Sequence, residues 1–368
     1  VRVDRVADQR AVKPLSLAPP ARAVHARGMT GKERVLAAMN GTPLDTLPNV
    51  AITMMKAADE IGVPYKTYAL DADAHFRGQV AVSRAYDIDH VSGISDPAVE
   101  ASDLGAAIVY RDDSPPAMDD AEPLLLDPAR LLALKVPDPG SSPRMGKRIA
   151  AISKLARECR GEKAVEGWIE GPIAESCDLR GVSRIMMDFY DRPGFVRDLV
   201  AFVTEVEMTF ARAQLEAGAD YIGMGDAAAS LVGPDLYREF VWEAEKTFVR
   251  RLHQMGTKVR LHICGDITPL LGMLKDVGAD LVDLDSMVSI SAARAALGPG
   301  RCLAGNLNPV SAIRGGTPHS VEQGLDRCFR EAGCTAYAVA GGCEIPRDTP
   351  ADNLRAMGRF ARAHAPTR

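Results

Sequence analysis

His262, Cys264 and Cys343 are the residues of this chain whose types and spacing could do chemistry. In His262-Ile263-Cys264-Gly265 the His and Cys stand two apart at the end of an apolar run. Alternate residues of a strand point to one face, so both side chains project together. That is the spacing zinc needs for two of its four ligands. Cys343 lies far downstream in Ala340-Gly-Gly-Cys-Glu-Ile-Pro, and it too follows an apolar run that reads as a strand. Three N/S ligands leave a fourth position for water, substrate or another side chain, as in catalytic zinc sites. A zinc-bound thiol is deprotonated near neutral pH and is a strong nucleophile. The pattern points to thiolate chemistry. The competing reading is a buried histidine with two small core cysteines.

The elements that must position these residues alternate regularly. Strands are expected at Ala164–Gly171, Tyr221–Gly225, Val259–Ile263, Leu281–Leu284, Cys302–Asn306 and Ala336–Ala340, with two earlier ones at Pro48–Thr53 and His90–Ser95. Helices are expected at Ala72–Tyr86, Pro193–Ala217, Pro234–Met255, Thr268–Val277, Ser289–Leu297, Ser320–Ala332 and Ala351–His364. Pro193 falls in a first turn, and Gly218 and Gly256 act as stops. Such βα alternation argues for a parallel sheet with right-handed crossovers. Eight units closing on themselves make an α/β fold of the (β/α)8 TIM barrel type. An open doubly wound sheet is the alternative, but no Gly-rich dinucleotide loop follows the first strand. Residues 97–160, punctuated by Pro115, Pro116, Pro137, Pro139 and Pro143, read as an insertion between the second and third strands, with a small hairpin around Ala106–Tyr110.

In a barrel, His262 and Cys264 fall at the C-terminal end of the fifth strand and Cys343 just past the eighth. All three then share the catalytic face. Asp96, Glu170, Asp226, Asp285 and Asn306 fall at strand ends in the same way. Asp226 follows Gly223-Met-Gly, read as a flexible turn whose carboxylate either steadies a ligating His or positions substrate, or else caps a turn. Glu344, next to Cys343, is either a fourth ligand or an exposed loop carboxylate. Cys177 is either a site wall or core, and Cys159, Cys302, Cys328 and Cys334 read as packing residues.

Composition narrows the class. With 46% hydrophobic and 25% charged residues the chain reads as a globular protein. A net charge of -5 gives no reason to expect nucleic acid or an anionic membrane. No apolar stretch approaches a spanning helix. Seven scattered cysteines do not form a secreted disulfide framework, so a reducing cytoplasm fits better. Residues 1–28 are rich in Arg, Ala, Val and Pro without an apolar h-region, and read as a loose or non-native arm. Met29 then opens the main unit, residues 29–368, and Thr30 with Glu33 forms a capping-box helix start.

Several segments resemble the uroporphyrinogen decarboxylase superfamily, specifically its cobalamin-dependent methyltransferase branch. The match is densest in Ala217–Asp226, Arg260–Gly265, Gly305–Pro309 and Gly342–Pro350 with Asn353-Leu354, and it extends back to Met29. The resemblance implies that His262, Cys264 and Cys343 bind zinc and activate a thiol, which takes a methyl group from a methylcorrinoid protein. Coenzyme M is the acceptor in the methanogen members. By their places at strand ends and beside Cys343, Asp96, Asp226 and Glu344 are expected to serve catalysis, and Asn306 and Asp285 cofactor binding.

Departures from the decarboxylase itself are informative. Its Arg-Gln-Ala-Gly-Arg motif is replaced by Thr53-Met-Met-Lys-Ala-Ala58, without either arginine. Its C-terminal Gly-His-Gly becomes Gly342-Cys343-Glu344, and its tyrosine is missing from the stretch Gly171–Asp178. Asp96 stands where its key aspartate is expected. One acid cannot grip a porphyrinogen with many carboxylates, so a lyase is the weaker alternative. A second alternative is the donor side of such a system, which demethylates an ether or amine and methylates the corrinoid protein. The cysteine pair favours thiol activation. The resemblance implies that the methylcobalamin-type corrinoid is carried by a separate partner protein. The acceptor, the primary donor and the oligomeric state stay open, a homodimer being one option.

Overall fold

The computed structural model describes residues 28–119 and 121–366; the expected arm lies almost wholly outside them. The strands are β1 (His90–Ser92), β2 (Ile108–Val109), β3 (Ala117–Met118), β4 (Ala164–Glu170), β5 (Tyr221–Gly225), β6 (Lys258–His262), β7 (Leu281–Leu284), β8 (Cys302–Gly305) and β9 (Tyr337–Ala338). Seven of them form one parallel sheet in the order β1-β4-β5-β6-β7-β8-β9. Helices separate nearly every pair, as right-handed βα crossovers require.

The expected first strand is not a ladder strand. Instead, the segment 48–53 fills the gap between the two sheet edges. Asn49 bridges Val339 in parallel, Val50 donates its N–H to Val339 O at 2.8 Å, and Val339 donates to Pro48 O at 2.8 Å. On the other side Asp89 N donates to Asn49 O at 2.8 Å, just before β1. The ring thereby closes into a TIM-barrel-like fold. Pro48 has no N–H to give, which limits how far this segment can pair.

Helix Gly31–Met39 plugs the base of the barrel. Thr30 and Glu33 make the expected capping box. Its Val35, Ala38 and Met39 pack against Ala164, Tyr221, Leu281 and Cys302 at the strand starts. Full burial of Val35 and of Met39 contributes roughly 1.5–3 kcal/mol each. With the base filled, the open end is the one where the strands terminate, and this is where the candidate ligands lie.

The insertion is shorter than expected. The hairpin forms as β2 with β3, and Asp127 caps the turn Pro128–Ala133. Pro143, read as a breaker, instead opens the 17-residue helix Pro143–Cys159. A proline at the first helical position loses no hydrogen bond. After β4 two unanticipated helices, Pro172–Arg180 and Val182–Asp191, precede Pro193–Glu216. The expected helix Pro234–Met255 is interrupted by a π-helical turn, Tyr237–Val241.

Candidate metal centre

The alternation of β6 turns Arg260 and His262 to the barrel interior, and His262 stands in register with Asp283 of β7. The chain then leaves the strand, and Gly265, with φ of 88°, takes the left-handed turn that brings Cys264 back over His262. Cys264 Sγ lies 3.0 Å from His262 Nε2. Cys343 comes from the loop after β9, with its Sγ 3.5 Å from Cys264 Sγ and 3.7 Å from His262 Nε2. Among the described residues these three form the one group of His, Cys, Asp or Glu donors close enough together to hold a metal ion.

The trio fits zinc. A tetrahedral ion bound at ordinary Zn–N and Zn–S lengths separates its donors by about 3.4–3.8 Å. Two of the three distances match, and the shorter His–Cys contact is a hydrogen bond that a metal would replace. The donors also carry the right charge. A hydrogen bond from Cys264 holds the Cys343 thiol down at about 4, with His262 helping against burial. The same bond and burial push Cys264 up. Burial opposes the His262 imidazolium, but the bonds to Asp283 and Cys343 outweigh it and raise it to about 10. Without metal the trio therefore shares its protons as imidazolium, thiol and thiolate.

Asp283 was not anticipated as a functional residue. Its Oδ2 lies 3.2 Å from His262 Nδ1 and accepts from Arg260 Nε at 2.8 Å. This is the outer partner that ligating histidines use, and it leaves Nε2 facing the thiols. The signal in the sequence was an aspartate inside an apolar strand, since a buried carboxylate needs a partner.

Asp226 was one candidate for that task, and the structure gives its carboxylate another. Its Oδ1 accepts from the amides of Ile173 and Ala174 at 3.1 and 2.7 Å, at the start of helix Pro172–Arg180. Burial pushes it up to about 6, against a hydrogen bond to Glu245 and the two amides. The glycines before it are not a flexible turn. A Cβ on Gly223 would lie 2.4 Å from the Trp168 ring, and one on Gly225 2.8 Å from it. They make room for Trp168, whose ring tilts towards His262 at 6.5 Å.

Asp285 and Asn306 sit beside the trio as braces. Asp285 Oδ2 accepts from Gly265 N at 3.0 Å, and Asn306 Nδ2 donates to Asp285 O at 3.0 Å and Val288 O at 2.6 Å. The turn after β7 thus holds the Cys264 loop on one side. On the other, Gly342 packs against its backbone. Glu344 lies outside the metal-binding group; its Oε1 accepts from the amides of Met55 and Met54 at 2.8 and 3.3 Å. Burial raises it to about 7, and the Cys343 charge adds to this against the two amides.

Asp96 is not presented to the barrel mouth. Its carboxylate is fully buried against Arg144 at 2.7 Å, Ser95 Oγ at 2.7 Å and Ala98 N at 3.2 Å. A carboxylate so engaged has little capacity left for a substrate. Cys177 is buried in the core, and burial raises its thiol.

The uroporphyrinogen decarboxylase family model matches residues 30–364. The methylcobamide:CoM methyltransferase MtbA of Methanosarcina mazei is 26% identical over 347 residues, covering 90% of this chain and 98% of that protein. A uroporphyrinogen decarboxylase of Nocardia farcinica is 29% identical over 185 residues, about half of each chain. Among solved structures, a methyltransferase from Methanosarcina mazei superposes with a TM-score of 0.82 at 22% identity, covering 90% of this chain and 98% of that one. A B12-independent methionine synthase from Shewanella sp. W3-18-1 gives 0.58 at 12% identity over 86% of this chain and 98% of that one. Full-length relatives include methylcobamide:CoM methyltransferases, and the chain belongs to the uroporphyrinogen decarboxylase family.

Proposed function

We propose that this chain transfers a methyl group from a methylated corrinoid, carried by a separate protein, to a small thiol, and that it uses zinc held by His262, Cys264 and Cys343. In the reaction a C–S bond forms as the Co–C bond breaks, and cobalt keeps the electron pair. Bound zinc supplies acidity to the acceptor thiol, so that no separate strong base is needed. The observation that carries the reading is the convergence of one imidazole and two sulfurs within 3.7 Å at the barrel mouth.

The chain's own residues do the positioning. Asp283 orients His262 through Nδ1. Asp285 ties the Cys264 loop to the turn after β7, and Asn306 fixes that turn. The Trp168 ring lies tilted beside the imidazole, its centroid 6.5 Å away. Glu344 pins the segment 54–55 beside Cys343. The decarboxylase reading is weakened by the burial of Asp96 against Arg144. No helix of the described residues is long and apolar enough to cross a membrane, and we place the enzyme in the cytoplasm.

The test is to mix the zinc-loaded protein with methylcobalamin and a panel of small thiols. Loss of the methylcobalamin spectrum with a methylated thiol found by mass spectrometry is the expected result. Demethylation that proceeds equally well without protein, or with Cys264→Ala, would count against the proposal.

A further inference from the structure

A buried ladder of ions runs through the barrel below the candidate metal centre. Arg260 has no exposed side-chain surface, and its guanidinium is held at three points. Nε donates to Asp283 Oδ2 at 2.8 Å, NH1 to Glu166 Oε1 at 3.2 Å, and NH2 to Val50 O at 3.0 Å. Glu166, on β4, is fully buried and lies 3.4 Å from His90 Nδ1, which in turn meets Tyr221 Oη at 2.9 Å. His90 Nε2 contacts Ala51 O at 3.2 Å. The ladder thus links β1, β4, β5, β6 and β7 to the closing segment, and its last rung is His262.

The number of partners on each group matters. Asp283 Oδ2 is shared between Arg260 and His262. A guanidinium presents donors in a rigid fork and favours two-point binding to a carboxylate. Arg260 does not bind Asp283 in that way because Glu166 and Val50 O occupy its other arms. With Glu166 neutralised, a fully buried NH1 loses its charged acceptor, and the fork gains by turning both arms on Asp283. The shared oxygen is then drawn away from His262 Nδ1.

We propose that Glu166 and Arg260 are positioning residues for the metal centre: by locking the guanidinium from the far side, Glu166 keeps the Asp283 carboxylate on His262. This rests on the reading of His262, Cys264 and Cys343 as a metal centre. Glu166 touches none of the three.

Cobalt(II) is a suitable probe, because its visible bands report ligand geometry without any turnover. Affinity is read by competition with a chromophoric chelator, alongside the thermal melt. Glu166→Gln, close in shape but uncharged, should weaken cobalt binding about tenfold, the scale at which outer partners of ligating histidines act. It should also shift the visible bands. Arg260→Lys, which keeps the charge but replaces the rigid three-point fork with a single nitrogen on a flexible stem, should do the same, and it serves if Glu166→Gln does not fold. In an Asp283→Asn background, Glu166→Gln should cost nothing further. Cobalt affinity and bands unchanged in both variants, or losses that simply add in the double variant, would overturn the proposal. A wild-type protein that binds neither cobalt nor zinc would overturn the metal reading and this inference with it.

Discussion

Gly342→Ala offers a perturbation that reaches the candidate metal through backbone alone. A Cβ at Gly342 would lie 2.6 Å from Ser286 N, 3.2 Å from Asp285 C and 3.4 Å from Asp285 Cα. None of these atoms is the end of a flexible side chain. The Asp285 turn cannot easily retreat, since Asn306 Nδ2 holds its carbonyl at 3.0 Å and Gly265 N and Met287 N hold its carboxylate at 3.0 Å each. The Cys343 loop must therefore give by about 0.8 Å to reach ordinary contact, and overpacking of this kind costs roughly 1–3 kcal/mol. Metal sites tolerate donor shifts of only about 0.2 Å. Cys343 is the next residue, so zinc affinity should fall at least tenfold, about 1.4 kcal/mol. Chelator competition measures that loss, and a melt of the metal-free protein should show a fall of a few degrees. Affinity within twofold of wild type, with the melt lowered as expected, would refute the argument that the two cysteine loops are coupled through this turn.

Other predictions follow from the charges. The metal-free protein should carry one thiolate near neutral pH, seen by its ultraviolet absorbance and by rapid alkylation, and Cys343→Ser should abolish it, because Cys343 is held down at about 4 by Cys264 and His262. Glu175 and Glu207 are raised well above the carboxylate range, first by burial and then by neighbouring acids. A raised folded-state pKa means stability present below the unfolded value of about 4.5 and lost as pH rises through the folded value. The melting temperature should therefore decline from pH 5 upward, and Glu175→Gln should flatten that slope; an unchanged slope would count against protonated acids there. Asp96→Asn should lower stability by roughly 3–5 kcal/mol by leaving Arg144 unpaired, yet leave zinc content unchanged; loss of zinc with a normal melt would return Asp96 to the site.

The legible parts of the sequence were those where local pattern and tertiary role coincide. The β6 run ending in His262-x-Cys264 carried both the strand and the ligand spacing, so the site could be read once Cys343 was found at a second strand end. Thr30 with Glu33 likewise specified its own helix start. The remainder depended on partners distant in sequence. Residues 48–53 look like a strand but close the ring with few ladder bonds, a matter of barrel geometry rather than propensity. Asp285 stands at a strand end, where site residues are expected, whereas register pairs His262 with Asp283 inside the strand. Gly223 and Gly225 looked like turn formers because the ring of Trp168, on the neighbouring strand, was not in view. Pro143 punctuates the insertion in the sequence and opens a helix in the structure, a choice that only packing decides.

The central claim is tested most directly by the zinc content of the purified chain, prepared under reducing, chelator-free conditions, together with His262→Ala, Cys264→Ala and Cys343→Ala. The account predicts about one zinc ion per wild-type chain and its loss in each variant, since every donor of a three-residue site is needed. A wild-type protein without zinc, or variants that all retain it, would contradict the account.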